Sequence, residues 1–163
     1  MASPQLSNYF SKVVTKDEIK SKSGDINYLL NMFCFFAEND EVVFDFRFYK
    51  ALINNYQTDQ VLNHTVAIFQ ELQQRQQISG KIHNVLHLNL EHINIVKIEK
   101  YMPTLKPFMQ QLMLKFPTYD LTRCYAYNAS IIFTVIKQLA VTIYGDKTMK
   151  TKIIIVKDLD DGN

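Results

Sequence analysis

The chain contains no tryptophan, only four glycines and two cysteines, and positive and negative charges that nearly cancel, leaving a formal net charge of +2. Each scarcity removes a class of function. None of the glycines falls in a phosphate-cradling loop or a dinucleotide fingerprint, motifs in which glycine lets backbone N–H groups approach a phosphate. No serine stands in a nucleophile-elbow pattern. A small secreted domain stapled by disulfides uses more cysteine than Cys34 and Cys124, which read as buried reduced thiols. Like charges never run beyond a few residues, so no electrostatic steering toward nucleic acid is expected.

Long hydrophobic runs are missing as well. The N-terminal "MASPQLSNYFSKVV" has no apolar stretch behind a basic start, as a signal peptide would. The longest apolar stretch, residues 131–144, is broken by Lys137 and Gln138 and is too short to span a bilayer. These features point to a soluble cytoplasmic protein. Two N-glycosylation patterns, Asn63-His64-Thr65 and Asn128-Ala129-Ser130, are then read as coincidences of sequence.

What is present suits a packed domain. Of 163 residues, 47% are hydrophobic and 21% charged, with 11 Phe and 9 Tyr. That supports one domain with a sizeable core. Residues 1–24 are polar, and Thr15-Lys16-Asp17-Glu18 has the spacing of a helix-capping box. From Met32 to Tyr49 the sequence reads as a β-hairpin. Val42, Phe44, Phe46 and Phe48 alternate with Val43, Asp45, Arg47 and Tyr49, and Glu38-Asn39-Asp40 supplies the turn. Val61, Leu62, Thr65, Ile68, Phe69 and Leu72 then recur at helical spacing, and Gly80 is placed to stop that helix.

"KIHNVLHLNL" reads as a strand. Ile82, Leu86, Leu88 and Leu90 lie on a dry face with Asn84, and His83, Val85, His87 and Asn89 lie on a mixed one. A helix over 101–116 carries Leu105, Phe108, Met109, Leu112 and Phe116 on one side, with Pro103 in its first turn and Pro107 a potential kink. "TRCYAYN" is a short strand. Ser130 is placed to cap a helix whose stripe is Ile132, Val135, Ile136, Leu139 and Ile143. Gly145 ends that helix, and "KIIIV" is a last strand. The order of strands and helices is that of βαβ units around a largely parallel sheet. Asn128 falls at the carboxyl end of a strand, where open α/β sheets usually bind ligands. The expected domain runs over residues 25–157, followed by an acidic tail at 158–163.

Several chemical readings are weak. His83 and His87 share a strand face but stand about 13 Å apart, too far to hold one ion together. "DLDDGN" starts like a calcium loop but has its glycine one place early and lacks the closing glutamate. Nothing around Cys124 favours a thiolate. An enzyme has little support, and no cofactor is expected.

From Leu72 to Val156 the chain resembles the CRAL-TRIO lipid-binding domain, found in retinaldehyde- and tocopherol-binding proteins and phosphatidylinositol transfer proteins. The matching pieces come in the family's order: a helix ending in "QQRQQISG", the strand "VLHLNLEHIN", a helix running to "KFP", a strand closing in "YAYNAS", and a helix leading to "GDKTMKTKIIIV". The hairpin "FCFFAENDEVVFDF" is similar to the family's first strands. The departures are His87 in place of an aspartate, Ser130 in place of a proline, a reduced N-terminal helical subdomain and a short C-terminus. The resemblance implies a three-layer α/β domain, a mixed, largely parallel sheet with flanking helices, that floors a lipid pocket and performs no catalysis. Lys152 matches a headgroup-binding lysine of the phosphatidylinositol-binding members. Thr118 stands where they have a glutamate, with Asp120 nearby.

The candidate ligand-binding residues are Phe44, Phe46, His87, Asn89, Tyr127, Phe133, Ile136 and Lys152. The expected function is binding of a phospholipid or other small hydrophobic molecule, with transient contact at a membrane surface. The alternative is a protein-interaction module of the same fold, of the kind that meets small GTPases and their regulators.

Overall fold

In the computed structural model, residues 4–91, 93–129 and 148–156 are described, together with 137, 138, 141 and 145. The N-terminal quarter is helical. Helix α1 (Pro4–Ser11) is followed by α2 (Lys16–Ser21) and α3 (Ile26–Phe33). Thr15 caps α2 by accepting from the Glu18 N–H at 3.1 Å, and Asp25 caps α3 by accepting from the Tyr28 N–H at 3.1 Å. Each cap satisfies one of the four donors a helix start leaves unpaired.

Strand β1 (Cys34–Phe36) turns through a 3-10 segment at Glu38–Asp40 into β2 (Val42–Asp45). The turn holds Asn39 at φ 61° and Asp40 at φ 60°, a left-handed conformation that short polar side chains tolerate. Then come α4 (Tyr49–Asn55), α5 (Thr58–Ser79), β3 (Val85–Asn89), α6 (Ile95–Lys115), β4 (Arg123–Tyr127), the short α7 (Met149–Lys152) and β5 (Ile153–Val156).

The result is an α/β fold on a five-stranded mixed sheet whose spatial order β1-β2-β3-β4-β5 follows the chain. β1 runs antiparallel to β2, and the remaining pairs are parallel. A right-handed crossover to the next strand always places its helix on the same side of such a sheet. Accordingly α4, α5 and α6 pack on one face, where α3 joins them, against Val42, Phe44, Leu86, Cys124 and Ile153. The second face carries Val43, Val85, Tyr125 and Tyr127, and α1 covers part of it with Leu6 and Phe10. The period-2 alternation of the strands is what separates these two sets.

The structure revises four expectations. The alternation from Val42 stops at Asp45, because its carboxylate accepts from the Arg47 N–H at 3.2 Å and turns Phe46–Phe48 into a 3-10 segment feeding α4. Phe46 and Phe48 are therefore not strand residues, and Phe33 ends α3 rather than beginning a strand. The strand expected over 81–90 is confined to β3, and Ile82 is 78% exposed instead of lying on a dry face. Helix α6 starts well before Tyr101, capped by Asn94 accepting from the Lys97 N–H at 2.9 Å. Pro103 and Pro107 thus sit inside it. Both are on its exposed side, where water can bond the carbonyls they leave without a helical donor.

Gly80 ends α5 in a left-handed conformation at φ 70°, and Gly145 takes φ 67° with its N–H bonded to the Val141 carbonyl at 2.8 Å. Ser130 and most of the helix expected after it, including Ile132, Phe133, Val135, Ile136, Leu139 and Ile143, lie outside the described residues, as does the tail at 158–163. Among the described residues, no helix is long and apolar enough to cross a membrane.

Candidate functional site

Helices α5 and α6 lie side by side on the sheet without closing fully over it. Between them is a cavity of about 90 Å³, floored by Phe44 of β2 and Leu86 of β3 and walled by Phe69, Met109, Leu112 and Phe116. The helix residues follow from sequence spacing. Phe69 continues the buried stripe of α5, and Met109 and Leu112 of α6 are followed at the same spacing by Phe116, which caps the end of that helix. Phe69 and Phe116 face each other with ring centroids 5.6 Å apart, and Tyr119 meets Phe69 edge-on at 5.2 Å. Phe69, Phe116 and Tyr119 also line an open groove of about 520 Å³ beyond the cavity. Cavity and groove thus adjoin across these three side chains and together form the cleft between the helices.

The mouth of the cleft is mixed, with polar side chains set beside Leu72 and Ile82. The groove adds Gln73, Gln76, Gln77, Asn84 and Thr118. Buried Asn84 fixes this end: it accepts from Gln76 Nε2 at 2.7 Å and donates to the Asp120 carbonyl at 2.8 Å, tying α5 to the loop before β4. Asp120 in turn receives Lys152 Nζ at 3.1 Å. Because the Asp120 side chain is 88% exposed, that pair is weak and easily exchanged. Lys152 and Thr118 therefore stand at the same, amino-terminal end of the parallel strands. The expected ligand side was the carboxyl end.

On the second face, His87 is fully buried between two partners. Its Nε2 lies 2.5 Å from Glu41 Oε1 and its Nδ1 lies 2.8 Å from the Tyr127 hydroxyl. With Glu41 ionised, Nε2 donates to it and Nδ1 accepts from Tyr127. His83 Nε2 reaches the other Glu41 oxygen at 3.1 Å. Burial holds His87 below its ordinary pKa despite the attraction of Glu41, so the ring is neutral at pH 7. Burial, reinforced by Glu41, pushes the Tyr127 hydroxyl up. Tyr127 in turn packs edge-on against Phe10 of α1 at 4.7 Å.

A second polar group clips the carboxyl ends of β2, β3 and β4. Asp45, with no exposed surface, takes a forked ion pair from Arg47, with Nη2 at 2.7 Å and Nε at 3.0 Å. Asn89 Nδ2 donates to Asp45 at 3.2 Å, and Asn128 Nδ2 donates to Asn89 Oδ1 at 3.0 Å. Burial raises the Asp45 carboxyl above its usual range even though Arg47 pulls it down.

The expected site residues therefore separate. Phe44 lines the cleft. Phe46 packs into the core against Phe33 and Tyr49, each at 5.6 Å. His87, Asn89 and Tyr127 do share a face, as strand alternation predicts, but it is the face away from the cleft, where His87 and Tyr127 bond each other and Asn89 bonds Asp45. Lys152 stands near the cleft mouth through Asp120, and Phe133 and Ile136 lie outside the described residues. The sequence reading missed Glu41, Arg47 and Asn84 as polar partners. A charged Asp45-x-Arg47 set among phenylalanines was the available signal for a buried ion pair. Burial pushes the Cys124 thiol up to about 12 and raises that of Cys34 too, which leaves neither activated at neutral pH. Comparison with protein-family models, with curated proteins and with solved structures gave no match for this chain.

Proposed function

We propose that the protein binds an amphiphile without transforming it, holding an apolar tail between α5 and α6 and a polar head at the amino-terminal end of the sheet. The observation that carries this reading is the cleft itself, apolar in its depth and amide-lined at its mouth. The deep part, about 90 Å³, takes the end of an alkyl chain, and the groove receives the rest of the molecule. Burial of each methylene is worth about 0.8 kcal/mol, or about fourfold in affinity. Lys152 offers a cation to a phosphate once it exchanges Asp120 for it. Phospholipids and lysophospholipids have this chemistry.

Native mass spectrometry of the purified protein, beside mass spectrometry of its organic extract, tests the reading. One molecule of lipid per chain, retained by the wild type and lost from a Leu112→Phe variant that fills the cavity, is the expected result. A protein that stays empty after incubation with phospholipid vesicles would overturn it. A second reading, a protein-interaction module, draws on Ile82 at 78% and Ile78 at 88% exposure near the groove. Its signature is an empty cleft together with a partner whose binding is lost on Ile82→Ser.

A further inference from the structure

Four lysines from three helices converge at the end of the molecule away from the groove. Lys97 and Lys100 stand three residues apart near the start of α6, which puts them on one helix face. Lys50 is in the first turn of α4. Its neighbour Tyr49 fixes that turn against α6, sharing a hydrogen bond with Thr104 at 3.0 Å and meeting the Tyr101 ring edge-on at 5.4 Å. Lys16 opens α2, and the link before it is tied to the same region by Arg47 Nη1 donating to the Lys12 carbonyl at 2.8 Å. Lys16, Lys50 and Lys100 are exposed.

Partial burial, and then repulsion from Lys16, Lys50 and Lys100, hold Lys97 below the usual lysine range. The carboxylates on these helices are Asp17, Glu18 and Glu99. Glu99 is about 200° around the helix from Lys97 and, three residues after Val96, borders the lysine face on its Val96 side. Val96, 72% exposed, stands four residues before Lys100 on the same face.

We propose that this lysine face, with Val96 in it, docks on an anionic lipid bilayer. A bilayer offers both things the face requires, a sheet of negative charge for the ammonium groups and an apolar interior for Val96. A nucleic-acid backbone or an acidic polypeptide supplies only the charge. Docking of this face is independent of tail binding in the cleft. The 21 residues of α6, at 1.5 Å each, hold the groove about 30 Å from the docked end. Attachment therefore tethers the protein and leaves the groove mouth away from the lipid surface.

Sedimentation with vesicles tests this. The wild type binds vesicles of phosphatidylcholine with one-third phosphatidylserine, does not bind pure phosphatidylcholine, and lets go as salt is raised. Each lysine near an anionic surface contributes about 1 kcal/mol, so Lys97→Gln with Lys100→Gln weakens binding about 30-fold. The pair Lys16→Gln with Lys50→Gln, on other helices, gives a similar loss, and thermal unfolding checks that both variants are folded. Val96→Ser weakens binding while keeping its salt slope. Equal binding to neutral vesicles, unchanged binding by both double variants, or retention by a DNA duplex or polyglutamate with none by vesicles overturns the proposal.

Discussion

Replacing Arg47 with methionine is the sharpest perturbation of the fold. The Arg47 side chain is 2% exposed and Asp45 is 0% exposed, so neither charge has water to fall back on. Methionine keeps the aliphatic reach but removes the bonds to Asp45 at 2.7, 3.0 and 3.2 Å, the bond to the Lys12 carbonyl at 2.8 Å and the longer ion pair to Glu91 at 3.5 Å. Among the described residues, Asp45 would keep only Asn89 Nδ2 and the backbone N–H of residue 47, both at 3.2 Å. Leaving one partner of a buried pair uncompensated costs about 3–5 kcal/mol. At this chain length each kcal/mol moves Tm by about 2–4 °C, so circular dichroism melting should show a fall of about 6–20 °C. The loss should depend on pH. Burial already raises the folded-state Asp45 pKa above 3.8, and without Arg47 it rises further. A folded carboxyl that takes its proton before the unfolded one gains stability as pH falls, so Arg47→Met should recover part of its loss on acidification toward that value. Adding Asp45→Asn should restore much of the remainder. A loss below about 1 kcal/mol, or one independent of pH, would refute the reasoning that an uncompensated charge dominates here.

Three further outcomes are expected. Gly80→Ala places a side chain at φ 70° in otherwise open space, so strain alone should lower stability by about 1–2 kcal/mol in urea titrations. His87 has a folded-state pKa below 6.5, so its stabilising contribution is complete above that pH and is lost as pH falls through it. Between about pH 7.5 and 5.5 the wild type should lose more stability than His87→Gln, with the opposite contribution of Asp45 common to both proteins. Leu112→Phe should fill the cavity of about 90 Å³, leave Tm within a few degrees and abolish lipid retention. An unchanged lipid load in that variant would place the ligand elsewhere.

Local rules carried far along this chain. The 3.6-residue stripe of Val61, Leu62, Thr65, Ile68, Phe69 and Leu72 marks the buried side of α5, where Ile68 is partly buried and the other five are buried. Gly80 as a stop and Thr15 as a cap were equally readable. The strand alternation placed His87 and Asn89 on one face, but which residues they meet depends on register between strands. Val43 pairs with His87 and Asp45 with Asn89, relations that no sequence spacing contains. Helix boundaries failed where two signals competed. The prolines at 103 and 107 suggested a late start for α6, yet the Asn94 cap and the packing of Tyr101 and Phe108 outweigh two lost donors. The amphipathic α1 was hidden in a segment whose mean composition is polar, although Leu6 and Phe10 are spaced to share a face. Phe44 was expected to line a pocket and does line the cleft, but the position of that space between α5 and α6 could not be read. Its lining residues are ordinary core types, and a space between helices is set by how closely they approach, not by any residue on its own.

The central claim is that the gap between α5 and α6 receives an alkyl tail. Isothermal titration with a homologous series of alkyl phosphocholines tests it directly. Affinity should rise about fourfold per added methylene while the chain enters the cavity and level off once the cavity is full, and Leu112→Phe should abolish the rise. Affinity that ignores chain length, or a rise that Leu112→Phe leaves intact, would contradict it.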